Sequence, residues 1–582
     1  MLTAPIVEIL RDLHHVLVQD FWPCWLALSA VVVIGATWFV SRSSAPRSKR
    51  RSDTNIVLAR RPVGTPASIV ALGVLVAFLV AYIAMTLVWE DFAYNDNSEF
   101  TLGTLRGHDI PPPIWPNLGR FFPLAWQEFN LIRHFTESAI GYHLLPIAGL
   151  LVFVFILLIL DDELGVVARV SLAVVALLTP SIVFSLGDLP APERSELLFL
   201  AGLILCVRRF EETESTQWAA GAVLCAQIML YYKETAFLLV LGLAGGRLLL
   251  RYGSKERARW GFGRLFDRQG RLDLSFIGVA VFFLIYYFAA MGLRPNMNYA
   301  ITYQQTFVGT LLAYTRRDVL AWLLAAVAAG RIYLILRGRA APLPLWDGLA
   351  LGGVACFVAY LYLRGAQPHY SAPVDLIGVL YVGRFAVVSL ESPRSWSKSI
   401  VLSLMFIVVC QNIVLFAATL YERKNAIHGK VEIARVVEEQ YRIHTGHPLR
   451  LFFPFTDPYW IMEFAAYLSY HGIPVEGGDG ADTGRPDGVV LAGLAVDGDG
   501  PCVGYETIQC HAAIRPAPGD LVIVLPDDSA MRAQASLYRA RGELFYYEPR
   551  PAIPVWLLAL ITDHLHIANS DRWMDGSVTI WQ

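Results

Sequence analysis

Charge is what this chain has least of. Asp, Glu, Lys and Arg make up 16% of its 582 residues, while 55% are hydrophobic and the mean hydropathy is +0.48. A soluble domain carries about a quarter charged residues, and the long uncharged runs exclude a large soluble protein with an ordinary core. There is no CxxC of the zinc type, no P-loop, no GxGxxG, no Ser-His-Asp pattern, no internal repeat and no DNA-binding motif. The net charge is -2, and the basic clusters flank apolar runs, so nucleic acid is not an expected partner. Of the seven cysteines, Cys24, Cys206, Cys225 and Cys410 fall in apolar runs, where Cys behaves as a small hydrophobe. Cys502 and Cys510 sit in a polar tail and would suit a disulfide if that tail faces an oxidising compartment.

What is present is a ladder of apolar segments. Phe21 to Val40 is followed by no small-residue cleavage site and reads as a first membrane span. The next segment carries Arg42, Arg47, Lys49, Arg50, Arg51, Arg60 and Arg61, which the positive-inside rule places in the cytoplasm. Ala67 to Trp89 is then a second, outward span, and further spans are expected at about 141–160, 165–187, 195–208, 216–232, 235–250, 274–293, 317–336, 347–363, 373–390 and 399–420. Arg208 with Arg209, the run Arg247 to Arg271, Arg337 with Arg339, and Arg394 with Lys398 all fall on the cytoplasmic side of that alternation.

The expected fold is therefore an α-helical polytopic membrane protein of about twelve helices with a soluble α/β domain at its C-terminus. Residues 1–66 form an extra N-terminal helix and basic loop, 67–420 the main membrane domain with an outer loop at 90–140, and 421–582 the outer α/β domain. In the tail, Val431 to Tyr441 and Trp460 to His471 read as helices, and Arg450 to Pro454 and Leu521 to Leu525 as strands.

Carboxylates gather where the second span ends, in W-E-D-F-A-Y-N-D-N-S-E-F, which holds Glu90, Asp91, Asp96 and Glu99. Such charges at a membrane edge are costly unless they meet a cation or a substrate. The second outer loop adds Asp188, Glu193, Arg194 and Glu196, the third Lys233 and Glu234, and later loops Arg294, Arg316, Arg317, Arg364 and His369. Acids from early loops and cations from later ones thus meet on one face of the membrane. That combination suits transfer from a lipid-phosphate donor. Arg and Lys bind the phosphate by charge-assisted bonds, a carboxylate takes the acceptor's proton, and apolar spans hold the carrier tail.

The arrangement resembles the GT-C superfamily of polytopic glycosyltransferases, which includes protein O-mannosyltransferases and the aminoarabinose transferases of lipid A. Asp96-Asn97-Ser98-Glu99-Phe100 is similar to the family's D-E-x-x-Y element, with Asn for the second acid and Phe for Tyr. Arg194-Ser195-Glu196-Leu197-Leu198 is similar to its R-x-D-x-L-L element, Lys233-Glu234-Thr235 to its K-E-x element, and Pro368-His369-Tyr370-Ser371-Ala372-Pro373 loosely to its R-Y-x-x-P element. The likeness spans roughly 67–390. It implies a polyprenyl-phosphate sugar as donor, membrane lipids as surroundings, and a periplasmic acceptor in a bacterial inner membrane. It also implies Asp96 as base with inversion at the anomeric carbon, and Arg194 and Lys233 as phosphate ligands; from the residues themselves, Asp91 is the rival base and Arg316 and Arg317 are further phosphate candidates. Glu99, Asp188, Glu196, Glu234, Arg364, His369 and Tyr370 complete the candidate site. No cofactor is read from the sequence, and a divalent metal is left open. A lipid-linked sugar flippase and an O-antigen polymerase or ligase are the alternatives.

Overall fold

This computed structural model describes residues 16–42, 65–88, 92, 103–105, 107–116, 119–252, 266–291, 306–364, 368–391, 395–443, 449–453, 458–476, 489–493, 521–524, 543–547 and 578–581. The chain divides into two compact units. One comprises Met1–Ala84, Pro111–Gln127 and Leu144–Phe416; the other comprises Met85–Ile110, Glu128–His143 and Ala417–Gln582.

The helices and short strands run in order as α1 Phe21–Ser41, α2 Pro66–Val88, β1 Ile114–Trp115, β2 Arg120–Phe121, α3 Gln127–Ile132 and α4 Ala139–Leu160. Next come α5 Val166–Leu178, α6 Pro180–Gly187, α7 Glu193–Thr213, α8 Thr216–Tyr232, α9 Ala236–Tyr252 and α10 Arg268–Met291. The last helices before the tail are α11 Phe307–Arg317, α12 Val319–Leu336, α13 Pro344–Leu363, α14 Ala372–Glu391 after a 3-10 turn at Pro368–Ser371, and α15 Ser395–Ile443.

Among the described residues, eight helical segments are long and apolar enough to cross a membrane, and α5 with α6 makes a ninth that is bent by 74°. Helices α7, α8 and α9 fall outside that measure. The first carries charges at both ends, and the other two have 17 residues each. With these three the segments number twelve, in the places that hydropathy indicates. The polytopic helical fold is the one expected. Burial separates its layers: the apolar windows of α1 and α2 are 17% and 11% buried, those of α13 and α14 both 67%. The latter two are the centre of the bundle, and the former lie at its periphery.

Two expectations are corrected. The segment expected as one span at 165–187 is two helices, because Pro180 cannot supply the backbone N–H that a continuing helix needs. The last span was expected to end near residue 420, with a separate helix at Val431 to Tyr441. Instead α15 runs unbroken through 49 residues. It contains no proline and a single glycine, Gly429, so nothing local stops it.

Small residues set the closest contact in the bundle. Gly242 and Gly246 on α9 face Gly352 and Gly348 on α13, a GxxxG stripe against another. A methyl group built on Gly242 would lie 2.3 Å from Gly352 Cα, and one on Gly246 would lie 2.9 Å from Gly348 Cα. Backbones approach this closely only where side chains are absent, and within a membrane such packing replaces hydrophobic driving force.

In the second unit a six-stranded sheet has the order β4-β5-β3-β6-β8-β7. Its strands are β3 Leu449–Phe453, β4 Val475–Glu476, β5 Val489–Gly493, β6 Leu521–Val524, β7 Glu543–Tyr547 and β8 Val578–Trp581, with α16 Pro458–Tyr470 following β3. β4, β5, β3 and β6 are parallel, β8 and β7 antiparallel. Parallel pairs need crossovers, which makes this the α/β tail that interleaved strand and helix patterns indicate. The same unit holds pieces of the connection between α2 and α4. Phe92, fully buried, packs edge-on against Tyr142 and Tyr470 with ring centroids 5.4 and 5.1 Å away.

Candidate active site

The candidate site lies within the first unit, at one end of its helices. α8 ends at Tyr232, and the chain turns through Lys233, Glu234 and Thr235 into α9. α7 begins at Glu193, so Glu193 and Glu196 stand one turn apart on the same face of its first turns. Lys233 Nζ lies 2.5 Å from Glu193 Oε1, and both side chains are almost wholly buried. An acid at a helix N-terminus is favoured by the helix dipole, but burial of the pair costs more than that gains. Glu196 is fully buried, and neither of its oxygens meets a donor among the described residues; Glu193 Oε2 has none there either. Buried carboxylate oxygens without partners are rare in a native interior, and a catalytic role is one of the explanations they call for.

Aromatic rings wall the cluster. Lys233 Nζ sits 4.4 Å from the centroid of Tyr370, whose ring stacks on Tyr360 at 5.8 Å. The Tyr360 and Thr235 hydroxyls are 2.8 Å apart. His369 stacks on Phe184 of α6 at 5.2 Å and lies within electrostatic reach of Glu193 and Lys233.

Glu234 points away from Lys233 and meets a partner that sequence reasoning missed. Its Oε1 is 2.9 Å from Arg120 Nε. Arg120 belongs to β2, which pairs with β1 in a short antiparallel hairpin. Phe121, beside it, is fully buried among Tyr231, Phe283, Tyr286 and Tyr287. The segment is fastened again where Leu124 N donates to Tyr231 O and Trp126 Nε1 donates to Pro190 O at 2.5 Å. Trp126 adopts φ +65°, a strained conformation for a bulky residue. The legible signal was the F-F-P run after Arg120, which by itself suggests only interfacial aromatics.

Of the other expected residues, Asp188 is buried at the C-cap of α6. Arg194 is buried, and its Nη1 donates to the backbone carbonyls of Asp188 and Leu189 at 3.2 and 2.9 Å, clasping the α6–α7 connection. Arg316 and Arg317 occupy the last turn of α11, with Arg316 exposed. Arg364 is exposed at the end of α13 with φ +58°. The structure therefore brings together Glu193, Glu196, Lys233, Glu234, His369 and Tyr370. Asp96, Asp91, Glu99, Cys502 and Cys510 lie outside the described residues. Among the described residues, no three His, Cys, Asp or Glu side chains gather as a metal site.

No family model matches the sequence, and no curated protein matches it. Among solved structures the chain is similar to the crystal structure of ArnT from Cupriavidus metallidurans bound to undecaprenyl phosphate. The identity is 12% and the TM-score 0.41, with 88% of this chain and 97% of that one covered. A likeness at that score assigns neither substrate nor chemistry to this chain.

Proposed function

We propose that this protein is a membrane glycosyltransferase of the GT-C kind, moving a sugar from a polyprenyl-phosphate carrier to a glycan, lipid or protein acceptor on the periplasmic side of a bacterial inner membrane. The observation that carries the reading is the buried Lys233–Glu193 pair beside Glu196, walled by Tyr370 and His369, at one end of a membrane helical bundle. A dry cation with aromatic rings and carboxylates around it suits a sugar phosphate. The rings stack on the sugar, carboxylates accept from its hydroxyls, and the ammonium has donors beyond the one Glu193 takes.

In the proposed step the acceptor hydroxyl loses its proton to Asp96 as its oxygen bonds to the anomeric carbon. The bond from that carbon to the phosphate oxygen breaks, and polyprenyl phosphate leaves with the electron pair. Lys233 steadies the growing phosphate charge. Arg194 supports it indirectly in this reading, by fixing the loop before Glu193 and Glu196. Asp96 rests on the sequence match, with Asp91 as its rival.

The test uses purified protein in liposomes with polyprenyl-phosphate sugars and, as acceptors, the envelope lipids, glycans and proteins extracted from the producing cells, read as release of polyprenyl phosphate. A transferase, polymerase or ligase releases the carrier; a flippase moves the intact lipid and releases none. Asp96→Asn keeps shape and capping capacity and should lower turnover by a factor of about 100 to 10,000, with Asp91→Asn doing much less. No carrier release by the wild-type protein would end the reading, and full turnover by Asp96→Asn would end the role of Asp96. Sidedness is checked separately. Impermeant thiol reagents applied to intact cells should label cysteines placed in 90–140 and 421–582 and not those in 251–271.

A further inference from the structure

A second acidic pair lies in the same unit, in stretches that hydropathy reads as plain membrane helix. Asp318 is the N-cap of α12, where its Oδ1 accepts from Ala321 N at 2.8 Å. Asp375 lies in the first turn of α14, four residues beyond Ser371. Both are buried, at 8% and 2% exposure. Asp375 Oδ2 accepts two hydroxyl bonds, from Ser181 of α6 and from Ser371 at the end of the 3-10 turn, the latter at 3.1 Å. The remaining oxygens, Asp318 Oδ2 and Asp375 Oδ1, meet no N–H or O–H donor among the described residues. The turns that carry them are packed together, a methyl group built on Gly378 of α14 lying 2.9 Å from Leu320 Cγ of α12, and each carboxyl is within interaction reach of the other.

Two neighbouring carboxylates in a dry interior resist being ionised together, and a proton held between them relieves the repulsion. The groups acting on the pair support this. Asp375 is faced by Asp318, Ser181 and Ser371, Asp318 by Asp375, Ser371 and its own helix N-terminus, and Tyr314 of α11 lies within reach of both.

The pair also has a mechanical place. The 3-10 turn presents His369 and Tyr370 to the Lys233–Glu193 cluster, and it is tied to α6 twice. One tie is the His369–Phe184 stack; the other is Asp375, which gathers hydroxyls from both elements. We propose that Asp318 and Asp375 share a single proton and form a positioning pair, fixing the turn that carries His369 and Tyr370. The proton is a property of the pair alone. The consequence for turnover rests on the proposed transfer.

The test exploits hydrogen-bond polarity. In Asp375→Asn the amide oxygen accepts from Ser181 and Ser371 while its N–H₂ donates to Asp318. In Asp318→Asn the amide oxygen accepts from Ala321 N while its N–H₂ donates to Asp375. Each single variant supplies the missing hydrogen, so each should release polyprenyl phosphate from the same cell-extracted donor within about threefold of wild type. The double variant sets two N–H₂ groups against each other and should fall by about tenfold or more, in kcat more than in KM, as a lost buried hydrogen bond predicts. Asp375→Leu should fall similarly. Independently of substrate, the infrared difference between wild type and Asp375→Asn at neutral pH should show the carbonyl band of a protonated carboxylic acid. Absence of that band overturns the shared proton, as does a loss in both single variants as deep as in the double. A double variant and Asp375→Leu at wild-type turnover overturn the positioning role. If the wild type releases no carrier, the infrared experiment still decides the proton, and only the transfer reading fails.

Discussion

The two ends of the helical unit handle buried charge in opposite ways. At the end away from the Lys233 cluster, acids meet arginines. Arg247 binds Asp273 and Glu211 at 2.6 Å each, and Arg251 binds Asp273 at 2.8 Å. Arg384 bridges Asp161 and Glu163, and Arg331 holds Asp347, which also accepts from the Tyr381 hydroxyl at 2.9 Å. At the Lys233 end, Glu193, Glu196 and Glu234 each keep at least one oxygen without a donor among the described residues, whereas in the arginine networks Arg247 Nη2 is the unpartnered atom. A satisfied network rigidifies and an unsatisfied one is costly. The first end is held by paired charges, and the second leaves buried carboxylate oxygens without partners among the described residues.

That contrast is easiest to break at Arg247. Arg247→Met leaves Asp273 and its neighbours short of a partner in a dry interior, and unfolding of the detergent-solubilised protein should come earlier by about 3–5 kcal/mol. Stability within about 0.5 kcal/mol of wild type would mean that the network is ornamental. Glu196→Gln asks the converse question. It breaks no hydrogen bond among the described residues, so stability should hold or rise, while carrier release should fall by about two orders of magnitude if the carboxylate works on substrate. Unchanged turnover would return Glu196 to the scaffold. The smallest effect is expected at Tyr360→Phe, which removes the Thr235 contact and should cost about 1 kcal/mol in unfolding. An effect on turnover far larger than that would move Tyr360 from wall to participant.

Much of this was legible in the sequence, and the exceptions have physical causes. Span positions follow from hydropathy, since a bilayer leaves the backbone few choices. Lys233 and Glu196 stood out as charges at span ends. The partner of Lys233 did not: adjacent residues such as Glu234 diverge in a turn, and its true partner, Glu193, is 40 positions away. Asp318 and Asp375 were submerged because an averaged window forgives a lone acid among apolar neighbours. The break at Pro180 was visible as a residue but not weighed against the length of the run. The paired glycine stripes were present as Gly242-x-x-x-Gly246 and Gly348-x-x-x-Gly352, yet a reading that sums apolarity ignores how small a residue is.

Those stripes also set a rule for motion. Where backbones touch, α9 cannot slide along α13 by one residue, about 1.5 Å, without driving a leucine such as Leu351 or Leu243 into a position that admits only hydrogen. A shift by a full turn would keep only one glycine opposite a glycine, so the seam has a single register in which both pairs face. Thr235 and Tyr360, at the end of that seam, must travel together as one body. The 74° break at Pro180, by contrast, is a place where the backbone hydrogen-bond ladder is already interrupted, so bending there costs less than parting the glycine seam.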